Sequence, residues 1–148
     1  MASKERTFGN LDTRELARQD YLLLGDFWRQ DTELGLIVAK RGFRTNYASI
    51  DVLLKTGLIF FYAFLASYGD QSATIHDWLY SGYGIERADG TVYYPTRKEC
   101  DEAFHRALLD EGVGPIRAMM FYLGVRIGGA EHYSKVPVKF VPQAILEA

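Results

Sequence analysis

Two of the chain's three histidines, His76 and His105, lie in a stretch from Ile75 to Leu108 that also carries Asp77, Asp101 and Glu102. Imidazole beside carboxylate is the usual material of general acid/base work, or of a metal held by ring nitrogen and carboxylate oxygen. If chemistry is done here, His76, Asp77 and Asp101 are the residues expected to do it. The same residues have an ordinary use too. His76 with Tyr80, Arg97 with Asp101, and Asp101 with His105 are each four positions apart, hence neighbours on a helix face, where such pairs serve as local bonds of a few tenths of a kcal/mol. Clustered polar residues occur in packing networks as well as in active sites. Taken on their own, these residues favour the structural use.

Two helices must position them. Residues 72 to 82, SATIHDWLYSG, predict about three turns of helix with Ser72 as its cap and Gly82 as its stop. In that helix Ile75, Trp78 and Leu79 face the core, while His76 and Tyr80 share the neighbouring stripe. From Thr96 to Glu111 the apolar residues Cys100, Ala103, Phe104, Ala107 and Leu108 recur at helical spacing. At 100° per residue Asp101 falls about 60° from Phe104 and Arg97 about 20° from it, so this pair lies at the edge of the buried stripe. His105, about 100° round, is expected to be solvated. A third helix starts at Pro115 after Gly112, and Gly128–Gly129 stops it. Its expected core face is Ile116, Met119, Met120, Leu123 and Ile127, with Gly124 marking close packing against a neighbour.

Ahead of these helices, Tyr21–Arg29 and Leu34–Lys40 are apolar-rich runs separated by Gln30, Asp31, Thr32 and Glu33, the signature of an antiparallel β-hairpin with a polar loop. Gly42 is placed to supply a positive-φ turn, and Thr45 or Asn46 to cap the next segment. Strands are expected to end by Lys40. Residues 1–19 are polar with Phe8, Leu11 and Leu16 as loose anchors, an N-terminal arm or a short helix near Thr13–Gln19. The apolar run from Leu58 to Ala66 is far shorter than the roughly 20 residues that span a bilayer, and predicts a buried helix or two short ones broken at Gly57. Residues 83–95, with an Asp89–Gly90 turn, predict either a small exposed hairpin or a long loop. Residues 131–148 carry Pro137 and Pro142 and read as an extended strap. The fold class is therefore α+β: a hairpin packed on three to four helices in one domain over residues 20–130, with an arm before it and a tail after it.

At 148 residues one core is expected, and 48% hydrophobic residues exclude disorder while 24% charged residues argue against membrane insertion. A net charge of −2 with no basic run gives no reason to expect nucleic acid. The single cysteine, Cys100, cannot form an internal disulfide and falls on the apolar side of its helix as an inert thiol. The N-terminus, MASKERTFGNLDTRE, lacks the apolar centre of a signal peptide. No motif names a cofactor, and the residues leave open whether a metal binds.

Taken in order, RGFRTNYASI, IHDWLY, TRKECDEAFHRALLDEGV and FYLGVRIGG resemble the DUF1353 family, small proteins of bacteriophages and prophages, over about residues 35 to 130. The family pattern falls here on Gly42, Phe43, Thr45, Ser49, His76, Asp77, Leu79, Tyr80, Arg97, Asp101, Phe104 and Arg126. Thr45, Asn46, Ser49, Tyr80 and Arg97 are thus the expected neighbours of the His76, Asp77 and Asp101 site. Asn46 stands where the pattern has Asp, and Asp51 where it has Pro. An amide at Asn46 keeps hydrogen bonding but gives a cation one anionic oxygen fewer. The resemblance implies a phage-encoded protein and supplies no activity. The favoured expectation is a virion or assembly component, of tail, connector or baseplate type, in the virion or the host cytoplasm, whose partners are other virion proteins or copies of itself. The alternatives are a metal-dependent or acid/base hydrolase of the cell wall, and an inhibitor of host defence.

Overall fold

The computed structural model describes residues 5–17, 20–45, 70–130 and 133. The protein is an α+β fold in which small antiparallel sheets pack on helices, with seven strands and three helices among the described residues. Strands β1 (Thr13–Ala17), β2 (Asp20–Leu23) and β5 (Arg44–Thr45) form one sheet with β2 in the centre. Strands β3 (Phe27–Asp31) and β4 (Gly35–Ala39) form the expected hairpin, and β6 (Ile85–Glu86) and β7 (Val92–Tyr93) a smaller one. Helices α1 (Asp70–Tyr80), α2 (Arg97–Glu111) and α3 (Pro115–Gly128) come after the first two sheets in the chain.

The hairpin is shorter and more broken than its sequence predicts. The first apolar run divides at residues 24–26, where Leu24 N–H turns to the Asp12 carbonyl and Leu23 pairs with Phe43 and Gly42. Gln30 and Asp31, expected in the loop, complete β3, and its burial alternates with Phe27, Arg29 and Asp31 inward. The turn is made instead by Asp31, whose Oδ2 accepts from Glu33 and Leu34 N–H, and by Gly35 at φ 80°. Gly42 has the positive φ its place demanded, 92°.

Three further expectations are corrected. Thr13–Ala17 is a strand and not part of a helix, because its backbone pairs with β2 at register Thr13↔Leu23 and Arg14↔Leu22. Residues 7–9 likewise run beside β3: Gly9 N–H donates to the Trp28 carbonyl, and Phe8 is buried against Phe27. This part of the expected arm therefore belongs to the core. Strands also continue past Lys40 in β5, whereas β6–β7 is the small hairpin that is one of the two alternatives for residues 83–95, its tip made by Gly90 at φ 87° and by Asp89 accepting from Thr91 N–H. Helix α1 begins two residues before Ser72, which is buried inside it and donates to Glu111 on α2.

Helix α2 has a capping box, with Thr96 and Glu99 each accepting from the other's backbone N–H, and Gly112 closes it at φ 100°. Its predicted stripe is buried throughout. One side packs on α1 and the hairpin, in a core that includes Phe27, Ile37, Ile75, Leu79, Cys100 and Ala103; the other packs Phe104 and Leu108 on Phe121 and Val125 of α3. Burial of each such large side chain contributes about 1.5–3 kcal/mol. The face that α3 turns inward is Ala118, Phe121, Gly124 and Val125. The larger row expected there, Ile116, Met119, Leu123 and Ile127, faces out. The segment expected to hold a helix over Ile50–Tyr68 and the strap beyond Tyr133 lie outside the described residues. No described helix is long and apolar enough to cross a membrane.

Candidate functional site

Asp101 projects from α2 between α1 and α3 and is 0% exposed. Its Oδ1 lies 2.8 Å from His76 Nε2 and also accepts from the Tyr80 hydroxyl; its Oδ2 accepts from Arg126 Nη1 at 2.8 Å, with Arg97 Nη1 3.7 Å away. Three helices thus meet on one carboxylate. His76 is 2% exposed and its ring lies between those of Tyr80 and Phe104, with centroids at 4.0 and 4.6 Å. Tyr133 closes over Tyr80 edge-on and donates to the Pro95 carbonyl. Gly129 permits this closeness at the end of α3, since a Cβ there would fall 2.9 Å from the Tyr80 hydroxyl oxygen.

Burial alone would raise the pKa of Asp101, but bonds from His76, Tyr80 and Arg126 and the charge of His76 outweigh it and hold the carboxyl below its ordinary value. Tyr80 moves the other way: burial, then its bond to Asp101 and that carboxylate's charge, push the phenol up. The result is an anionic acceptor surrounded by donors. Arg97 works mainly on the neighbouring helix, donating to the Val125 and Arg126 carbonyls, where a cation satisfies exposed acceptors at a helix C-terminus.

The other expected residues divide. Asp77, next to His76 on α1 but about 100° round the helix, is half-buried and accepts from the Thr45 hydroxyl of β5. The structure thus joins His76, Tyr80, Arg97 and Asp101 in one cluster, and Asp77 with Thr45 in another pair. Asn46, Ser49 and Asp51 lie outside the described residues. His105, expected in solvent, is half-buried with its ring 5.6 Å from that of Tyr122, and burial followed by the nearby Arg106 charge lowers its pKa. Cys100 is buried as expected, its thiol pushed up by burial and by the Asp101 and Glu99 charges.

Arg126 is the partner that helix spacing could not find, being 25 residues from Asp101. Only its place in the family-like closing segment marked it. A second buried network was also missed. Asp31 takes both Oδ atoms to Arg106, at 3.0 and 2.9 Å, and lies 3.5 Å from Arg29, which is 1% exposed and donates to Asp110 at 2.8 Å. Among the described residues no group of three or more His, Cys, Asp or Glu side chains could hold a metal ion. A cleft of about 560 Å³ opens elsewhere, over Leu36, Val38, Trp78, Tyr83 and Arg87, and His76, Asp77 and Asp101 do not line it.

A family model described as a protein of unknown function, DUF1353, matches residues 22–125. The chain belongs to the DUF1353 family. The match spans β2 through most of α3, and so contains His76, Asp77, Arg97 and Asp101 while stopping one residue before Arg126. No curated protein and no solved structure matches the chain.

Proposed function

We propose that this DUF1353 chain is a bacteriophage-encoded virion or assembly component, of tail, connector or baseplate type, acting through protein–protein contacts in the virion or host cytoplasm. The observation that supports this reading is the burial of His76 and Asp101, at 2% and 0% exposure. A general acid/base must reach the proton it transfers, directly or through one water. Here the imidazole is enclosed by aromatic rings, and both oxygens of the carboxylate are taken up by donors from α1 and α3. That is the arrangement of a packing network. Its test is quantitative mass spectrometry of purified particles of the encoding phage. A fixed copy number per particle is the expected result, and particles assembled without the chain would overturn the proposal.

A second reading, a cell-wall hydrolase, draws on Asp77, which is half-buried and bonded to Thr45 at the end of β5. Under that reading Asp77→Asn abolishes hydrolysis of purified peptidoglycan without lowering the melting temperature. Under the assembly reading the wild-type chain releases no product at all.

A further inference from the structure

The cleft beside β4 has a volume of about 560 Å³, within the roughly 300–1,000 Å³ of ligand sites. Much of its wall is apolar. Trp78 and Tyr83 stack with ring centroids 4.9 Å apart, the indole fixed by donating to the Gly84 carbonyl, and Leu36 and Val38 of β4 add aliphatic surface. Two sets of polar groups decide what fits there. The first is the outer edge of β4. Residues 7–9 take up the Trp28 carbonyl and the Gln30 N–H, which leaves Phe27, Arg29 and Asp31 to bond with Ala39, Ile37 and Gly35. Because bonding alternates along an antiparallel ladder, the N–H and C=O groups of Leu36 and Val38 point away from β3. Among the described residues nothing bonds to them there, since β6, across the cleft, pairs only with β7.

The second is Arg87. Its Nη1 donates to the Leu34 carbonyl, and its guanidinium carbon lies 5.2 Å from the centre of the Tyr93 ring. Held on these two sides, it has no carboxylate partner among the described residues: Glu86 lies 3.5 Å from Lys40, and Asp89 accepts from Thr91. Strand-edge amides without partners are complementary to an extended peptide. A guanidinium fixed in place is complementary to a carboxylate, which it can hold through two N–H groups. Apolar walls are complementary to an apolar side chain. One ligand carries all three features. We propose that the cleft binds the C-terminal end of a polypeptide, extended along β4, with its terminal carboxylate on Arg87 and its last side chain against the apolar wall. Arg87 reaches the start of β4, at Leu34, so the bound end runs antiparallel to that strand. The proposal rests on the cleft alone and holds whether or not the chain is found in particles.

The test uses the full chain and fluorescent hexapeptides with a common stem of Thr and Val that end in each of the twenty amino acids, every one made both as the free acid and as the amide. Anisotropy titration is expected to show saturable binding for free acids ending in Val, Leu, Ile or Phe, and binding weaker by roughly tenfold or more for their amides and for acidic ends. Arg87→Gln keeps a donor for the Leu34 carbonyl and should erase the difference between acid and amide without lowering the melting temperature. The comparison of acid with amide on the wild-type chain decides the matter even if that variant is unstable. Failure of every free acid to bind overturns the proposal, as does binding that amidation leaves unchanged or an acid preference that survives Arg87→Gln. Phenylbutyrate that binds as tightly as the best peptide would also overturn it, by showing that a small acid fills the cleft and the β4 edge takes no part.

Discussion

Asp31 and Asp101 are both almost fully enclosed aspartates, at 1% and 0% exposure, and each ties separate elements of the fold together. Asp101 gathers α1 and α3 onto α2 through imidazole, phenol and guanidinium; Asp31 fastens the β3–β4 hairpin to α2 through Arg106 and Arg29, and also shapes its own turn. Only Asp101 has a histidine, and only Asp101 drew notice as a site of chemistry. Yet the two carboxylates are in the same physical condition: buried, depressed in pKa despite burial, and bonded on both oxygens. A histidine beside an aspartate is therefore no stronger sign of catalysis here than two arginines beside another. What distinguishes the sites is the partner each leaves behind when its carboxylate is removed.

That difference orders the stability effects. Asp31→Ala leaves Arg29, 1% exposed and with Nε already lacking a hydrogen-bond partner, with Asp110 as its one carboxylate and the Thr7 hydroxyl beside it. A buried guanidinium that loses one of its two carboxylates, together with the loss of the Arg106 pair and of the turn that Asp31 shapes, is expensive, and the expected loss is about 4–5 kcal/mol. Asp101→Ala releases Arg126 and Arg97, whose side chains are 30% and 24% exposed and can turn to water. About 3 kcal/mol is expected there, from the stranded His76 and Tyr80 and the lost ion pair. Denaturant titration of both variants decides the order, and a costlier Asp101→Ala would mean that the three-helix junction, not the hairpin anchor, carries more of the fold.

His76→Ala comes next, at about 1–3 kcal/mol, since it takes one donor from Asp101 and opens space beside Phe104 and Tyr80. Thermal unfolding measures it. A variant that melts like the wild type would show that His76 holds nothing together, and would separate this site from the Asp31 network after all.

Legibility in the sequence tracked how sharply each segment contrasts polar with apolar. Helix α2 alternates charge and hydrocarbon at helical spacing, so its buried face and the inward turn of Asp101 were both readable. Helix α3 has apolar residues at nearly every position, and periodicity then has no polar phase with which to choose a face. Packing chose instead: Ala118 and Gly124 let the backbone approach α2, and the bulkier Ile116, Leu123 and Ile127 were turned out. Strand β1, TRELA, has no run of alternating hydrophobics and exists because β2 offers an edge to pair with. Asp31 was hidden for a related reason. It lies where loop residues are expected, and its partner Arg106 is 75 residues away. Asp101's local neighbours were visible at four-residue spacing, whereas Arg126 needed the third helix to be in place.

The smallest effect separates the two aspartates by pH. Both have folded pKa values below the ordinary 3.8, so as pH falls below 3.8 the unfolded chain takes up protons that the folded chain refuses. More protons are then bound by the unfolded state, and stability falls with pH on this acid limb for both sites. Asp31→Asn and Asp101→Asn should each flatten it. Of the two aspartate sites, only that of Asp101 adds to the alkaline limb. Tyr80 is raised above its ordinary 10.0, first by burial and then by Asp101, so above pH 10 the unfolded chain releases a proton that the folded chain keeps. Stability then falls as pH rises. Tyr80→Phe should shallow that decline, and Asp31→Asn should leave it unchanged. Urea titrations of the three variants at acid, neutral and alkaline pH measure both limbs. If Tyr80→Phe leaves the alkaline limb as steep as in the wild type, the Tyr80–Asp101 bond contributes nothing to it. The decline would then belong to Tyr83, Tyr93, Tyr133 and Cys100, which are also raised.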